Sequence, residues 1–296
     1  MTSAATPALT RLRLPVRLGR AFFRHYPFAR GRWRLSQIFL RNVALPRSAT
    51  FSFNHGTFVD TSLAEWPNGY RDLFLFGSIE REELAAWTRI LRPGDAVIDG
   101  GANYGYWTLV ASRLVGPTGH VFSFEANPPT ADRLQSNVAA SAASNVVVER
   151  MALSDAEGSA TINNAAHNPI GGHASLKPHA GWDWATSTNV PTTTADALAQ
   201  RDDWPPIRLI KLDIEGAELS ALRGMADILA RHRPFLTVEW NTAAAAGFGY
   251  HPKEIISLLT GFGYTLCAPE HGELRPSGPP ADTAVTMLWF APRERP

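Results

Sequence analysis

The sequence predicts a doubly wound α/β fold built on a mainly parallel β-sheet. Between residues 96 and 290, short apolar runs rich in Val, Ile, Leu and Phe alternate with longer segments of helical periodicity. Strands that alternate with helices at this spacing require βαβ crossovers, which produce parallel strands covered by helices. The chain has 296 residues, of which 45% are hydrophobic, so it can bury one large core.

Residues 1–48 are predicted to form a basic, partly amphipathic helical arm. No Asp or Glu precedes Asp60, whereas arginine and apolar side chains alternate through the segment. Such a segment favours a helical cover on the main domain, or a dimer contact. Adsorption to anionic lipid at the inner membrane face is the alternative interpretation. The arginines before Asp60 are Arg11, Arg13, Arg17, Arg20, Arg24, Arg30, Arg32, Arg34, Arg41 and Arg47.

Residues 49–76 are predicted to form a small β element. Short aromatic and β-branched runs are interrupted there by Asn54-His55-Gly56 and by Pro67-Asn68-Gly69, which are typical of hairpin turns. The remaining residues, 77–296, are predicted to form the main domain.

Within the main domain, the elements follow in order. Helices are predicted over residues 80–91, 106–114, 130–140, 218–229 and 251–260, and strands over residues 96–98, 121–124, 145–149, 207–212, 235–240, 264–267 and 284–290. Residues 154–194 lack any regular period. A long irregular stretch inside a compact domain predicts a lid or a substrate loop.

The loop after the first strand of this domain predicts a small-molecule site. A buried strand ends at Asp99 and turns through Gly100, Gly101 and Gly105 into a helix. Glycines let the backbone approach a ligand and adopt positive φ, and the following helix N-terminus offers free N–H groups. These glycines do not form the G-x-G-x-x-G pattern that binds a pyrophosphate.

The second strand supports a nucleoside cofactor. It ends at Glu125, and a carboxylate in this position can accept hydrogen bonds from both ribose hydroxyls. A nicotinamide-dependent oxidoreductase would use the same acid, so only the glycine register and Asn103 disfavour that alternative. A non-catalytic membrane-associated partner protein, acting through its Arg-rich arm, is a second alternative.

Four ordered motifs resemble the FkbM family of methyltransferases. They are residues 97–105, 124–127, 152–155 and 209–218, the last followed by Leu222-Arg223-Gly224. The resemblance covers residues 77–240 and implies a Rossmann-like methyltransferase that uses S-adenosyl-L-methionine. It also implies O-methylation of a sugar, a glycan or another secondary metabolite. In such enzymes, residues at the positions of Asp99, Gly101, Asn103, Glu125 and Asp213 line the cofactor or the reacting centre.

Together the loop, the ribose acid and the resemblance predict a set of cofactor-binding residues. They are Asp99, Gly100, Gly101, Ala102, Asn103, Gly105, Glu125, Ala126, Asn127 and Ala152.

Three side chains are candidates for the catalytic base. Asp213 ends the fourth strand on the same rim as the cofactor loop and is the first candidate. Glu239 ends the fifth strand and is the second, and His173 in the irregular stretch is the third, because imidazole titrates near neutral pH. Either acid could instead cap a helix or pair with a neighbouring cation. Asp213 and Glu239, with Glu215, also offer oxygen ligands to a divalent metal, but their spacing does not require one and no metal is predicted.

Composition limits the partners and the compartment. The formal net charge of +1 favours neither nucleic acid nor an acidic partner. The resemblance to the FkbM family implies a small-molecule or glycan acceptor. Cys267 is the only cysteine, so an intramolecular disulfide and a cysteine-built zinc site are excluded and the cytoplasm is the expected compartment. No apolar run reaches the roughly 20 residues that span a bilayer. A homo-oligomer remains open.

Overall fold

The protein is described by a computed structural model over residues 8–26, 31–63, 70–165, 174–178 and 183–293. The chain divides into two compact units. The N-terminal unit comprises residues 1–81 together with 136–142, and the main unit comprises residues 82–135 and 143–296.

The N-terminal unit contains a helical pair, a hairpin and a short helix. Its elements are α1 (Leu14–His25), α2 (Arg32–Asn42), β1 (Ser48–Ser52), β2 (Thr57–Ser62) and α3 (Tyr70–Phe76). β1 and β2 pair antiparallel, which confirms the predicted hairpin. The end of the predicted β element, residues 70–76, is instead helical. The reason is that Leu73 to Phe76 form a continuous buried apolar run, and such a run does not distinguish strand from helix by its period.

Aromatic side chains fill the interior of the N-terminal unit. The ring of Phe23 packs edge-on against those of Phe39 and Phe76, with centroid distances of 5.5 and 5.8 Å. Gly19 permits the close approach of α1 and α2, because a Cβ at this position would lie 2.3 Å from Cζ of Phe39. These contacts bury one face of α1 within the unit.

The main unit carries the predicted sheet and its helices. Its elements are α4 (Arg81–Ile90), β3 (Ala96–Gly100), α5 (Tyr106–Val115), β4 (His120–Phe124), α6 (Pro128–Ala140), β5 (Val146–Glu149), β6 (Ala152–Leu153), β7 (Gly158–Ala165), β8 (Ala174–Ser175), β9 (Trp184–Thr193), α7 (Ala195–Arg201), β10 (Ile207–Leu212), α8 (Glu218–Arg223), α9 (Ala226–Arg231), β11 (Phe235–Asn241), α10 (Thr242–Gly247), α11 (Lys253–Gly261), β12 (Tyr264–Glu270), β13 (Glu273–Pro276) and β14 (Val285–Pro292).

Eight strands form one sheet in the order β13-β12-β14-β11-β10-β3-β4-β5. The five strands from β11 to β5 are parallel, and β14, β12 and β13 join antiparallel at one end. This order confirms the predicted doubly wound α/β fold. β3 and β10 are neighbours in the sheet. The strand that follows β3 lies toward one edge, at β4, and the strand that follows β10 lies toward the other edge, at β11. Ligands of such sheets bind at this switch point, outside the carboxyl ends of the strands.

The central parallel strands β3, β10 and β11 are buried on both faces, which explains their largely apolar sequence, whereas the edge strand β5 is partly exposed. Every residue of β3 is buried, and Ile98, Ile210 and Leu236 on three neighbouring strands are fully inaccessible to solvent. The rings of Phe122 and Trp204 stack at 3.8 Å over this core. A rigid, doubly covered sheet therefore fixes the positions of the side chains at its carboxyl edge.

Two predictions about the main unit were wrong. The helix predicted over residues 218–229 divides into α8 and α9 at Gly224, where a Cβ would lie 1.9 Å from the carbonyl oxygen of Ser154. The stretch 154–194, predicted to be irregular, contains a second sheet in the order β6-β9-β7-β8. β7 and β9 pair from Gly158 with Thr192 through to Ala165 with Trp184. β9 is mostly exposed and β7 mixes exposed and buried residues, but both sequences are largely polar, so they lack the apolar alternation that marks a half-buried strand.

Candidate active site

A cavity lies at the carboxyl edge of the main sheet, at the switch point between β3 and β10. It is lined by Gly101, Asn103, Phe124, Glu125, Ala126, Thr130, Met151, Ala152, Leu153, Ile162, Ala174, Leu176, Asp213, Ile214, Glu215 and Ala217. Acidic and amide groups come from the ends of β3, β4 and β10, whereas β6, β7 and β8 supply an apolar wall. The cavity thus combines a polar rim with a surface suited to a planar, weakly polar ring.

The glycine loop closes over the end of β10. Gly101 has φ +73°, and a Cβ there would lie 1.9 Å from the carbonyl oxygen of Asp213. The N–H groups of Gly101 and Ala102 both donate to the carbonyl oxygen of Phe124, at 3.0 and 2.9 Å. Only glycine fits the first position, and the loop is held by hydrogen bonds of its own backbone.

Glu125 ties the ends of the first two strands together. Its Oε2 accepts a hydrogen bond from the N–H of Asn103 at 2.8 Å, and its Oε1 accepts one from the N–H of Asn127 at 2.9 Å. The residue lines the cavity but is only 9% exposed. Burial raises the pKa of this carboxyl to about 7, because desolvation outweighs the two N–H donors. Each oxygen retains acceptor capacity for a ligand hydroxyl.

The side chain of Asp99 lies in the protein core, between the sheet and helix α5. It is fully buried, and its Oδ2 accepts a hydrogen bond from Oγ1 of Thr108 at 2.7 Å. Nζ of Lys211 lies 3.7 Å from its Oδ1. Burial raises the pKa of Asp99 against the opposing effect of Lys211. Asp99 is not among the residues that line the cavity.

Lys211 and Asp213 link this interior to the cavity. The buried ammonium of Lys211 lies 3.2 Å from Oδ2 of Asp213, whose side chain is 42% exposed and lines the cavity. Lys211 therefore lies between a buried carboxylate and an accessible one. Asp213 is held at the rim with one oxygen against the ammonium group.

Glu218 caps the turn that follows Asp213. Its Oε1 accepts hydrogen bonds from the N–H groups of Ile214 and Gly216, at 2.9 and 3.2 Å, and the hydroxyl of Tyr250 donates to its Oε2. Burial raises the pKa of Glu218 to about 7 in spite of these backbone donors. The geometry fixes the backbone of the turn, which agrees with the structural role expected of an acid at a helix start.

Glu239 is buried beside this turn, on β11. Nδ2 of Asn241 donates to its Oε1 at 3.3 Å, while its Oε2 makes no hydrogen bond within the described residues. Burial, together with the charges of Asp213, Glu215 and Glu218, raises the pKa of Glu239 well above its ordinary value. Burial and these neighbouring charges therefore disfavour the ionised form of Glu239.

Residues 99–266 match the family described as the methyltransferase FkbM domain, which is more than half of the chain. The chain belongs to the FkbM methyltransferase family. This membership confirms the resemblance that the four motifs indicated. It also confirms the predicted methyltransferase class and the predicted cofactor, S-adenosyl-L-methionine. It does not favour a nicotinamide oxidoreductase or a non-catalytic partner protein.

Several known proteins are similar to this FkbM domain. The hexuronic acid methyltransferase AglP of Haloferax volcanii is 30% identical over 166 residues, which are 56% of this chain and 62% of that protein. A protein-L-isoaspartate O-methyltransferase of Ignicoccus hospitalis is 41% identical over 58 residues, 20% of this chain and 28% of that protein. Both matches span less than two thirds of the relative. The structure of the FkbM methyltransferase of Methylobacillus flagellatus has 15% identity and a TM-score of 0.38, covering 74% of this chain and 52% of that one.

Some of the predicted site residues line the cavity, and others lie outside its lining. The predicted residues that line it are Gly101, Asn103, Glu125, Ala126, Ala152 and Asp213. The predicted residues outside its lining are Asp99, Gly100, Ala102, Gly105, Asn127 and Glu239. Gly100 and Gly105 pack against leucine side chains, where a Cβ would lie 2.8 Å from Leu212 and 2.6 Å from Leu134, respectively. The third base candidate, His173, lies outside the described residues.

Sequence reasoning missed the apolar wall of the cavity. Met151 and Leu153 flank the predicted Ala152, and Ile162 and Leu176 come from the second sheet. Ile162 is an isolated apolar residue within the polar sequence of β7, and this contrast is the signal that could have identified it.

The described residues contain neither a metal-binding cluster nor a membrane-spanning helix. Among residues 8–26, 31–63, 70–165, 174–178 and 183–293, no three His, Cys, Asp or Glu side chains form a group able to hold a metal ion. No helix in the same ranges has the length and apolar character needed to cross a bilayer.

Proposed function

We propose that this protein transfers the methyl group of S-adenosyl-L-methionine to a hydroxyl oxygen of a sugar or glycan. The observation that carries the proposal is the convergence of Glu125 and Asp213 on one cavity at the switch point. Glu125 can accept hydrogen bonds from the ribose of the cofactor, and Asp213 can accept the proton of the acceptor hydroxyl. The apolar wall across the cavity suits an adenine ring.

The residues present fit the cofactor. Glu125 already accepts one N–H bond at each oxygen, and an ionised carboxylate has capacity for about four hydrogen bonds. Two vicinal ribose hydroxyls can therefore add to it without displacing the loop. Met151, Leu153 and Ile162 would cover the adenine, and the cofactor would supply a methyl group activated by its sulfonium.

The transfer is an in-line displacement at the methyl carbon. The acceptor oxygen forms a bond to this carbon while the carbon–sulfur bond breaks and its electron pair returns to sulfur. The hydroxyl proton must then pass to a base. Asp213 is the base we propose, because it is the accessible carboxylate on the rim and Lys211 holds it in place. A positioned base contributes about 10²–10⁴-fold to such a reaction.

Glu239 has a different role in this proposal. Burial and the neighbouring acids raise its pKa well above its ordinary value, which disfavours the carboxylate form that a general base requires. We assign it to the support of the Asp213 turn. His173 stays a prediction for a base contributed by residues outside the described ranges.

The chemical class of the acceptor is inferred from the similarity to one relative. The archaeal relative is named a hexuronic acid methyltransferase and shares 30% identity over 166 residues. This similarity supports an acidic sugar as the acceptor and oxygen as the atom methylated. The cytoplasm remains the predicted compartment.

Two measurements test the proposal. Isothermal titration with S-adenosylhomocysteine should give saturable binding, and absence of binding at millimolar ligand would contradict it. Incubation with tritiated cofactor and hexuronic acid-containing glycans should then label the glycan. Label that is released by mild base would indicate a carboxyl ester and refute a hydroxyl acceptor.

A further inference from the structure

Helix α1 exposes an apolar stripe on the N-terminal unit. Leu14, Leu18 and Phe22 are 63%, 61% and 51% exposed, and their i, i+4, i+8 spacing aligns them along one side of the helix. The opposite side, with Val16 and Phe23, is already buried in the unit. The core therefore does not need the stripe, and an exposed apolar row of this kind marks an interaction surface.

A cavity rich in arginine lies along the adjacent side of α1. It has a volume of about 720 Å³ and is lined by Leu9, Arg11, Arg17, Arg20, Arg24 and His25, among others. Arg17 follows Leu14 by three residues and Ala21, also in the lining, follows Leu18 by three, so the cavity and the stripe run side by side.

The described part of the chain supplies no acidic partner to the charges in this cavity. Arg20 and Arg24 donate to backbone carbonyls, and Nε of Arg24 has no hydrogen-bond partner among the described residues. Within the described residues, none of the four guanidinium groups of Arg11, Arg17, Arg20 and Arg24 forms an ion pair with a carboxylate. Burial and the neighbouring charge of Arg24 lower the pKa of Arg20 to about 10. An anion in the cavity would relieve this concentration of positive charge.

The sequence places all of this charge at one end. Residues 1–59 hold ten of the 28 basic residues and none of the 27 acidic ones, so the net charge of +1 divides into +10 for this segment and −9 for the rest. The occupant of the surface must therefore be both anionic and apolar. A symmetric dimer through this surface would bring like charges together, and a nucleic acid backbone offers nothing to the leucine and phenylalanine side chains.

We propose that the N-terminal unit docks on an anionic phospholipid bilayer. The stripe of Leu14, Leu18 and Phe22 enters the boundary between headgroups and acyl chains, and the arginine cavity receives a lipid phosphate. An amphipathic helix lying in the interface uses this combination of apolar area and charge. The docking does not depend on the proposed reaction.

Vesicle flotation of the full chain tests the docking. The protein should float with vesicles that contain phosphatidylglycerol and stay behind with vesicles of phosphatidylcholine alone. Substituting both Arg11→Gln and Arg17→Gln should weaken partitioning by roughly 25-fold, about fivefold for each charge. Substituting Leu14→Ser, Leu18→Ser and Phe22→Ser together should weaken it by roughly tenfold or more. All five side chains are exposed, so the variants should retain the far-ultraviolet circular dichroism of the parent.

Matched substitutions on the main unit provide controls. Val285→Ser and Arg231→Gln remove an exposed apolar group and an exposed charge, and they should leave flotation unchanged. Equal flotation with both vesicle types, or no flotation, would overturn the proposal. A dimer on gel filtration that the stripe variant abolishes, without lipid binding, would assign the surface to a second copy. Tighter binding to single-stranded RNA, insensitive to the stripe, would assign it to nucleic acid.

Discussion

Replacing Glu125 with Gln should change how the stability of the protein depends on pH. The pKa of Glu125 rises from its ordinary value of 4.5 to about 7 in the folded state. The folded protein then binds this proton more tightly than the unfolded chain does, so the free energy of unfolding falls as pH rises between these two values. Since one pKa unit is worth about 1.4 kcal/mol, the fall amounts to about 3 kcal/mol for a group this deeply buried.

Glu125→Gln removes the titration and keeps the shape. The variant loses an acceptor for one of the two N–H donors of Asn103 and Asn127, which lowers its stability by about 1–3 kcal/mol at every pH. Its stability should not fall further as pH rises. The difference between variant and parent therefore shifts in favour of the variant by about 3 kcal/mol from about pH 5 to about pH 8.

The same substitution should weaken cofactor binding. A carboxylate that accepts from ribose hydroxyls contributes about 1–3 kcal/mol, so the Kd for S-adenosylhomocysteine should rise roughly 5- to 150-fold at about pH 8. In the parent, affinity should increase as pH rises through about 7, because the ionised form of Glu125 is the stronger acceptor. In the variant, this dependence should disappear.

Urea denaturation at several pH values and isothermal titration at the same values measure the two effects. Glu82→Gln is the matched control, because Glu82 is exposed in the first turn of α4. If the free energy of unfolding falls by the same amount with rising pH in Glu125→Gln and in the parent, burial does not raise the pKa of Glu125. Unchanged affinity would remove Glu125 from the cofactor site.

Three further substitutions test other parts of the site. Asp213→Asn should lower turnover by about 100-fold or more while the Kd for S-adenosylhomocysteine changes little, and an active variant in a steady-state assay would exclude the base role. Gly101→Ala should lose at least about 2 kcal/mol of stability by urea denaturation, because its Cβ meets a backbone oxygen at 1.9 Å. Gly249→Ala, with a similar positive φ of +78° in open space, should lose less, and equal losses would refute the close approach. Glu239→Gln should gain stability over the parent as pH rises, since burial and neighbouring acids raise the pKa of Glu239, and a constant difference would contradict this.

Strong apolar runs made the main sheet predictable. β10 spans Ile207–Leu212, the same residues as the predicted strand, because Pro205-Pro206 and Asp213 bound a run of four apolar residues interrupted only by Arg208 and Lys211. β7 and β9 carried no such signal. Their sequences are rich in Ser, Thr and Asn whether the residue is exposed or buried, and the long pairing between the strands fixes them instead. Backbone pairing of this kind leaves little trace in hydrophobic periodicity.

The site was predictable to the level of strand ends but not of side-chain direction. The rule that parallel strands end at one edge brings Glu125 and Asp213 to the same cavity. It does not fix the direction of Asp99, because successive side chains of a strand point to opposite faces. Thr108 on α5 offers a buried hydroxyl to Asp99, and this tertiary contact accounts for its interior position.

Three buried glutamate side chains at one sheet edge lower the free energy of unfolding at neutral pH. Their presence at this edge therefore calls for a functional explanation. Glu125, Glu218 and Glu239 each have a raised pKa, and two of them are raised further by the charge of Asp213. A core built for stability would use apolar residues of similar volume there. The proposed cofactor carries a positive sulfonium, which loses its charge when the methyl group leaves. The charge of Asp213 and the ionised fractions of Glu125 and Glu218 attract the charged cofactor more strongly than the neutral product, so these acids favour cofactor entry and product release at the same edge.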